Sequence, residues 1–345
     1  MTRGLLLALL ALAVVPSATG QGAAGGNAAK TIGTRGKVVS ISADGSRVAI
    51  HAEVEGDPGC DAASIWQPST GKVVRLADTP CGKRASEDQY NDLTLAGSRA
   101  VWTDYDYGNH AYCNGPYIAT LTQPKPSDTG ECPDEPDNSD MYWEYKGDGS
   151  LLVARSYFLC EANCEEDYTK TYDDQVEIWR VAGGLTKLLA AKDDTKLFDV
   201  DAGRIVLLDP AKKLVVLNAN GKQVGVVTPT ELGAAMLSGA TQVVSVTKGT
   251  TLNTYDVATG KLVRTSRMKG EAKLMDVENG VAVYFSPGEV HLLTIATNRD
   301  RVVARQKGLV QADLEPAGLF YAYNVPGGGP KPGRVAFLPS SALPK

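Results

Sequence analysis

Ile41-Ser42-Ala43-Asp44-Gly45-Ser46-Arg47-Val48-Ala49-Ile50 sets two short alternating apolar runs on either side of an Asp-Gly pair. Alternation with period two marks a half-buried strand, and Asp-Gly between two such runs supplies the positive φ of a tight hairpin. The device recurs along the chain. Gly97 precedes Ala100-Val101-Trp102, Gly149 precedes Leu151-Leu152-Val153, and Gly203 precedes Ile205-Val206-Leu207. Gly239, Gly280 and Gly318 precede Val243-Val244-Ser245, Val281-Ala282-Val283 and Leu319-Phe320-Tyr321. The seven turn glycines are separated by 52, 52, 54, 36, 41 and 38 residues.

A second turn follows in most units, as Ser69-Thr70-Gly71-Lys72, Ala182-Gly183-Gly184, Asn218 to Lys222, Asp256 to Lys261 and Thr297-Asn298-Arg299. Four short strands per unit follow from the two turns. Units of this kind bury their faces only against one another, and radial repetition is how they avoid long open edges. The chain is therefore expected to be all-β, a propeller of seven blades with four antiparallel strands each, with six or eight blades as alternatives. The seventh unit supplies Val310 to Leu314, Leu319 to Val325 and Arg334 to Leu338, and Lys30 to Thr34 is expected to complete it. Glu231 to Leu237 reads as at most a short turn of helix.

Two stretches carry a family resemblance. Ile41 to Ala49 resembles the hairpin repeat of bacterial exported TolB-like and WD-repeat-like propellers, and Tyr255-Asp256-Val257-Ala258-Thr259-Gly260-Lys261 is similar to their third-to-fourth-strand turn. The resemblance implies the fold and leaves activity open.

The first residues read differently. Arg3 precedes an apolar run from Gly4 to Val15, broken by Pro16 and followed by Ala18, Thr19 and Gly20. That is the layout of a secretory signal and is too short to span a bilayer. Residues 1–20 are thus expected to be a cleaved signal, 21–36 an N-terminal segment completing the last blade, and 37–345 a single propeller domain. The mature chain is expected to be a monomer, secreted or periplasmic, without a membrane span.

Six cysteines in an exported chain point to disulfides rather than metal thiolates. They are Cys60, Cys81, Cys113, Cys132, Cys160 and Cys164, and the spacing lacks the paired C-x-x-C of a zinc site. The repeat places Cys60 and Cys113 in second-to-third-strand loops, Cys160 and Cys164 on either side of the third such loop, and Cys81 and Cys132 between blades, all on one face. The pairs Cys60–Cys81, Cys113–Cys132 and Cys160–Cys164 are consistent with that placement.

The 345 residues carry 43% hydrophobic side chains and a net charge of −5, which excludes a disordered chain and disfavours a nucleic-acid binder. The average hides an asymmetry. Residues 104–174 hold 16 acidic side chains against Lys125, Lys146, Arg155 and Lys170, and nine of the 14 tyrosines. Asp104, Tyr105, Asp106, Tyr107, His110, Tyr112 and Tyr168 are the candidate ligand-binding residues, on inserts suited to a protein, a basic peptide, a cationic ligand or a glycan. Solvated decoration is the competing reading of the same inserts. No cofactor is expected. Asp104 to Asn109 and Asp134 to Asp140 are the acidic runs that calcium would use, but neither has the closing bidentate Glu of a calcium loop.

Catalytic signatures are sparse. G-x-S-x-G, H-E-x-x-H and a P-loop are lacking, and His51, His110 and His291 are the three histidines. Each reads more simply as structural or surface than as a general base. The favoured role is a non-catalytic binding or scaffold protein. The alternative is a lyase or hydrolase acting on a polysaccharide or lactone at the channel mouth. An enzyme would line that mouth with acidic or histidine side chains; a binder would leave the channel bare and carry an off-axis tyrosine-rich patch.

Overall fold

The computed structural model describes residues 29–54, 61–76, 91–107, 111–125, 127–128, 139–160, 171–181, 185–191, 195–247, 249–327 and 332–344. They form seven four-stranded antiparallel sheets, one per blade, and the chain is a seven-bladed β-propeller. The innermost strands of blades 1 to 7 are Val38–Asp44, Asn91–Ala96, Ser139–Asp148, Lys196–Asp201, Ala234–Ser238, Lys273–Glu278 and Leu309–Glu315. All seven turn glycines, from Gly45 to Gly318, adopt positive φ. At Gly97 the need is doubled, because a Cβ there would lie 2.6 Å from the carbonyl oxygen of Gly149 in the next blade.

Burial explains the layering within a blade. Second strands such as Arg47–Glu53 are buried at nearly every position, because neighbouring blades cover both their faces. Outer strands such as Lys72–Arg75 and Leu262–Arg267 are largely exposed. The apolar cores therefore lie between blades. Trp66 of blade 1, 2% exposed, meets Phe320 of blade 7 edge to face at 6.5 Å, among Ile41, Val48 and Phe337.

Blade 7 takes its outer strand from the other end of the chain. Lys30–Gly33 pairs antiparallel with Gly333–Pro339, matching Lys30 to Phe337 and Gly33 to Arg334. Lys30 Nζ also donates to the Pro68 carbonyl at 2.6 Å, fastening this strand to blade 1.

Two local expectations need correction. The segment read as a helical turn is a strand, Ala234–Ser238, paired with Gln242–Val246. Its Ala-Ala-Met-Leu run favours helix locally, but the ladder of blade 5 overrides that preference. Cys113 lies within the strand Ala111–Thr120 and not in a loop, whereas Cys160 ends the strand Leu151–Cys160, at the edge of its second-to-third-strand loop as expected. Cys60, Cys81, Cys132 and Cys164 lie outside the described residues, as do the signal segment, His110 and Tyr168. Among the described residues no helix is long and apolar enough to cross a membrane.

Candidate functional site

The inserts of blades 2 and 3 are built as long hairpin arms. Arg99–Tyr107 and Ala111–Thr120 stay paired to the tip, with Tyr105 opposite Cys113, Asp106 opposite Tyr112 and Tyr107 opposite Ala111. In blade 3, Ser139–Asp148, Leu151–Cys160 and Thr171–Val181 run 10, 10 and 11 residues, against four to seven in blades 1 and 4 to 7. Asp104, Tyr105, Asp106, Tyr107 and Tyr112 thus all belong to one paired ribbon of backbone. Asp104 to Tyr107, in the first of the two acidic runs, are extended strand. Residues 134–138 of the second acidic run lie outside the described residues.

The central channel is not bare. A cavity of about 490 Å³ runs through it, walled by Asp92, Glu144, Asp148, Asp199, Asp201, Asp276, Glu278, Asp313 and Glu315. Lys146 is the single cationic side chain among the described residues lining it. The sequence reason is local. In blades 1, 3, 4, 6 and 7 the innermost strand ends on an acid, namely Asp44, Asp148, Asp201, Glu278 and Glu315. Two residues earlier stand Asp199, Asp276 and Asp313 in blades 4, 6 and 7. Register shifts in the innermost pairs of blades 1, 2, 4, 6 and 7 re-aim the positions that follow them.

Most of these acids serve the ring itself. An innermost strand is a sheet edge whose outward N–H groups lack ladder partners, and an unpaired amide is costly away from water. Blades 1 and 3 to 7 supply acceptors to a following blade. Asp44 accepts from Gly97 N and from Gly149 N. Asp148 accepts from Gly203 N at 3.3 Å, Asp199 from Leu237 N at 2.7 Å, and Asp276 from Leu314 N at 2.7 Å. Asp313 and Glu315 accept from Ala43 N and Gly45 N at 2.8 Å, joining the last blade to the first. Ser42 and Ser238 do the same for Leu95 and Gly280.

Burial and crowding shift the titration of several channel carboxyls. Burial, reinforced by neighbouring carboxylates, pushes Glu278 up to about 7, Asp201 to about 6 and Glu315 to about 9. Burial likewise raises Asp313 to about 6, and it raises Asp199 and Asp276. At the opposite mouth Asp92 has a left-handed φ of 53° and is raised to about 7 by its surroundings and by Glu144. His51 lines that mouth too, bonded to Asp61 at 2.7 Å. Removing an acceptor should cost more than removing a charge. Asp199→Ala, which strands the Leu237 N–H, is expected to lose ~1–3 kcal/mol in denaturant unfolding, and Asp199→Asn markedly less.

A second polar cluster lies in blade 6. Val281–Ser286 and Glu289–Thr294 form a hairpin across Pro287-Gly288, placing Tyr284 opposite His291 and Ser286 opposite Glu289. Pairing with period two brings all four to one face. Ser286 Oγ lies 2.8 Å from His291 Nε2, and His291 Nδ1 lies 3.1 Å from Asp300 Oδ1. Glu289 Oε2 stands 3.2 Å from the same Nε2, and its other oxygen accepts from Arg305 Nε at 3.0 Å. The Tyr284 ring stacks on the imidazole at 4.6 Å. Burial pushes Asp300 up, but hydrogen bonds from Lys269, Tyr284 and His291 outweigh it and hold the carboxyl below its usual range. Neither this cluster nor the channel acids were among the sequence candidates.

The architecture is shared with solved β-propellers. An oligogalacturonate lyase from Vibrio parahaemolyticus superposes with a TM-score of 0.56 at 10% identity, over 91% of this chain and 92% of that one. An acylaminoacyl peptidase superposes with a TM-score of 0.55 at 11% identity, over 88% of this chain and 51% of that one. The chain thus spans about half the length of that peptidase. The WD40 propeller domain of Doa1 gives 0.48 at 12% identity, over 91% and 98% of the two chains. Such identities speak for the fold alone. No protein-family model matches the sequence, and no curated protein does. Among the described residues no group of three or more His, Cys, Asp or Glu is arranged to hold a metal ion.

Proposed function

We propose that this chain is an exported binding propeller that recognises a basic protein or peptide on the face bearing the long arms of blades 2 and 3. The observation that carries the reading is the paired ribbon from Arg99–Tyr107 and Ala111–Thr120, next to the extended strands of blade 3. Paired backbone holds Asp104, Tyr105, Asp106, Tyr107 and Tyr112 on a rigid support, which lowers the entropy lost when a partner docks. Sixteen acids in residues 104–174 select a cationic partner and steer its approach. The channel mouth on the blade 2 and blade 3 side adds Asp92 to the same field, beside Glu144 of the sixteen.

The rival reading, a lyase or hydrolase acting in the channel, draws on the acid lining. Against it stands the employment of Asp44, Asp148, Asp199, Asp276, Asp313 and Glu315 as acceptors for neighbouring blades.

Titration with an arginine- and lysine-rich peptide by calorimetry tests the binding reading. Combining Asp104→Asn, Asp106→Asn, Tyr105→Ala and Tyr107→Ala is expected to weaken binding at least ~10-fold, about 1.4 kcal/mol. Raising salt from 50 to 300 mM should weaken the parent chain as well. Equal affinity for an acidic peptide, or no loss in the combined variant, would sink it. Export is tested by N-terminal sequencing of the protein recovered outside the cytoplasm, with a start near Gln21 expected.

A further inference from the structure

We propose that Ser286, His291 and Asp300 form a second, chemically active site: a serine nucleophile, its general base and the carboxylate that positions the base, acting on a small acyl ester. The three come from successive strands of blade 6, and their order in space follows from the hairpin register. The Ser286 to His291 separation of 2.8 Å and the His291 to Asp300 separation of 3.1 Å fall within the reach that an activated nucleophile requires.

The roles follow from donor and acceptor inventories. Asp300 is ionised and can only accept, so it takes the proton of Nδ1, while Nε2 faces the Ser286 hydroxyl at 2.8 Å with the Glu289 carboxylate beside it at 3.2 Å. Lys269 Nζ fixes the other Asp300 oxygen at 3.0 Å, and Tyr284 stacks on the imidazole, so the ring cannot turn freely. The Asp300 and His291 side chains are only 4% and 6% exposed. Ser286 is less deeply placed, at the lip of a groove of about 720 Å³. Turns of blades 5 to 7 form the groove, with Phe285, Ala272 and Leu309 offering apolar surface, Glu271 and Lys273 adding charged side chains, and open space beside Gly249 and Gly270. Phe285, Ala272 and Leu309 give a short acyl chain apolar surface to lie against.

The reaction balances with water as the only co-reactant. Ser286 Oγ bonds to the carbonyl carbon while its proton passes to His291 Nε2. The ester C–O bond then breaks, and the leaving alkoxide takes that proton as an alcohol. Water attacks the acyl-serine, releasing a carboxylic acid and restoring the hydroxyl. Asp300 and Glu289 flank the imidazolium formed on the way, while Lys269 and Arg305 offset their charge.

The test uses the folded full chain with p-nitrophenyl acetate and, separately, a fluorophosphonate probe, read by intact mass and peptide mapping. One adduct, located on Ser286, is expected. Ser286→Ala should abolish it, and His291→Gln should slow acylation by at least ~100-fold. Asp300 is a positioning residue, so Asp300→Asn should slow the reaction and also move the midpoint of the pH–rate profile. A purely structural Asp300 would leave that midpoint unmoved. No adduct on a wild-type chain with a cooperative melt, an adduct on another residue, or equal labelling of a folded Ser286→Ala variant would overturn the proposal. None of these outcomes bears on peptide binding by blades 2 and 3.

Discussion

Deleting Lys30–Gly33 is expected to lower the melting temperature by roughly 5–10 °C and to turn a monodisperse chain into associating species. The strand contributes four cross-strand pairs to blade 7, the partly buried Ile32 and the Lys30 bond to Pro68. Each of those is modest alone, on the order of 1 kcal/mol for a hydrogen bond or a partly buried side chain. Their joint loss also bares the edge of Gly333–Pro339, and an open edge is a template for pairing with another chain. Light scattering and a thermal melt of the truncated chain give both readings. An unchanged melt with no association would show that the ring is held shut by side-chain packing alone.

The second large effect is a fall in stability as pH rises from about 5 to about 8.5. A carboxyl whose pKa is raised on folding binds its proton more tightly in the folded chain than in the unfolded one. Its stabilising contribution is complete below the unfolded value, near 4, and is lost as pH climbs through the folded value. Asp201 and Asp313 lose theirs near pH 6, Glu278 near pH 7 and Glu315 near pH 9. Asp300 works the other way, but its lowered value confines the effect to acid below this window. Discounting the half-exposed groups for solvent screening leaves a net loss on the order of 2–4 kcal/mol, several degrees in the melt. Glu315→Gln should flatten the pH dependence most, because it removes the group whose loss extends furthest into alkali. A melting temperature that rises between pH 5 and 8.5 would contradict the raised titration of the channel carboxyls.

The turn glycines were legible because a positive φ is a local demand that few residue types meet, and all seven stand where the sequence put them. The channel was not legible for a related reason. Asp44-Gly45 and Asp148-Gly149 already satisfy hairpin chemistry, and nothing local in the sequence marks their reach to the next blade. Register shifts concealed Asp199 and Asp276, since a bulge changes which residues face the axis without marking the sequence. In blade 6 the clue was present as Ser286 and His291 across Pro287-Gly288, with Asp300 nine residues on. It has no motif because its members belong to three strands.

The closing pair has a mechanical side. Lys30 lies opposite Phe337 and Gly33 opposite Arg334, so both ends of the chain leave this pair at the same end. Tension on the two ends would load the pairs one at a time and peel the strand away. A wedge driven into the channel would spread the blades and load all four pairs together. The ring should therefore resist an intruding partner far better than it resists a protease that pulls its substrates in from a terminus.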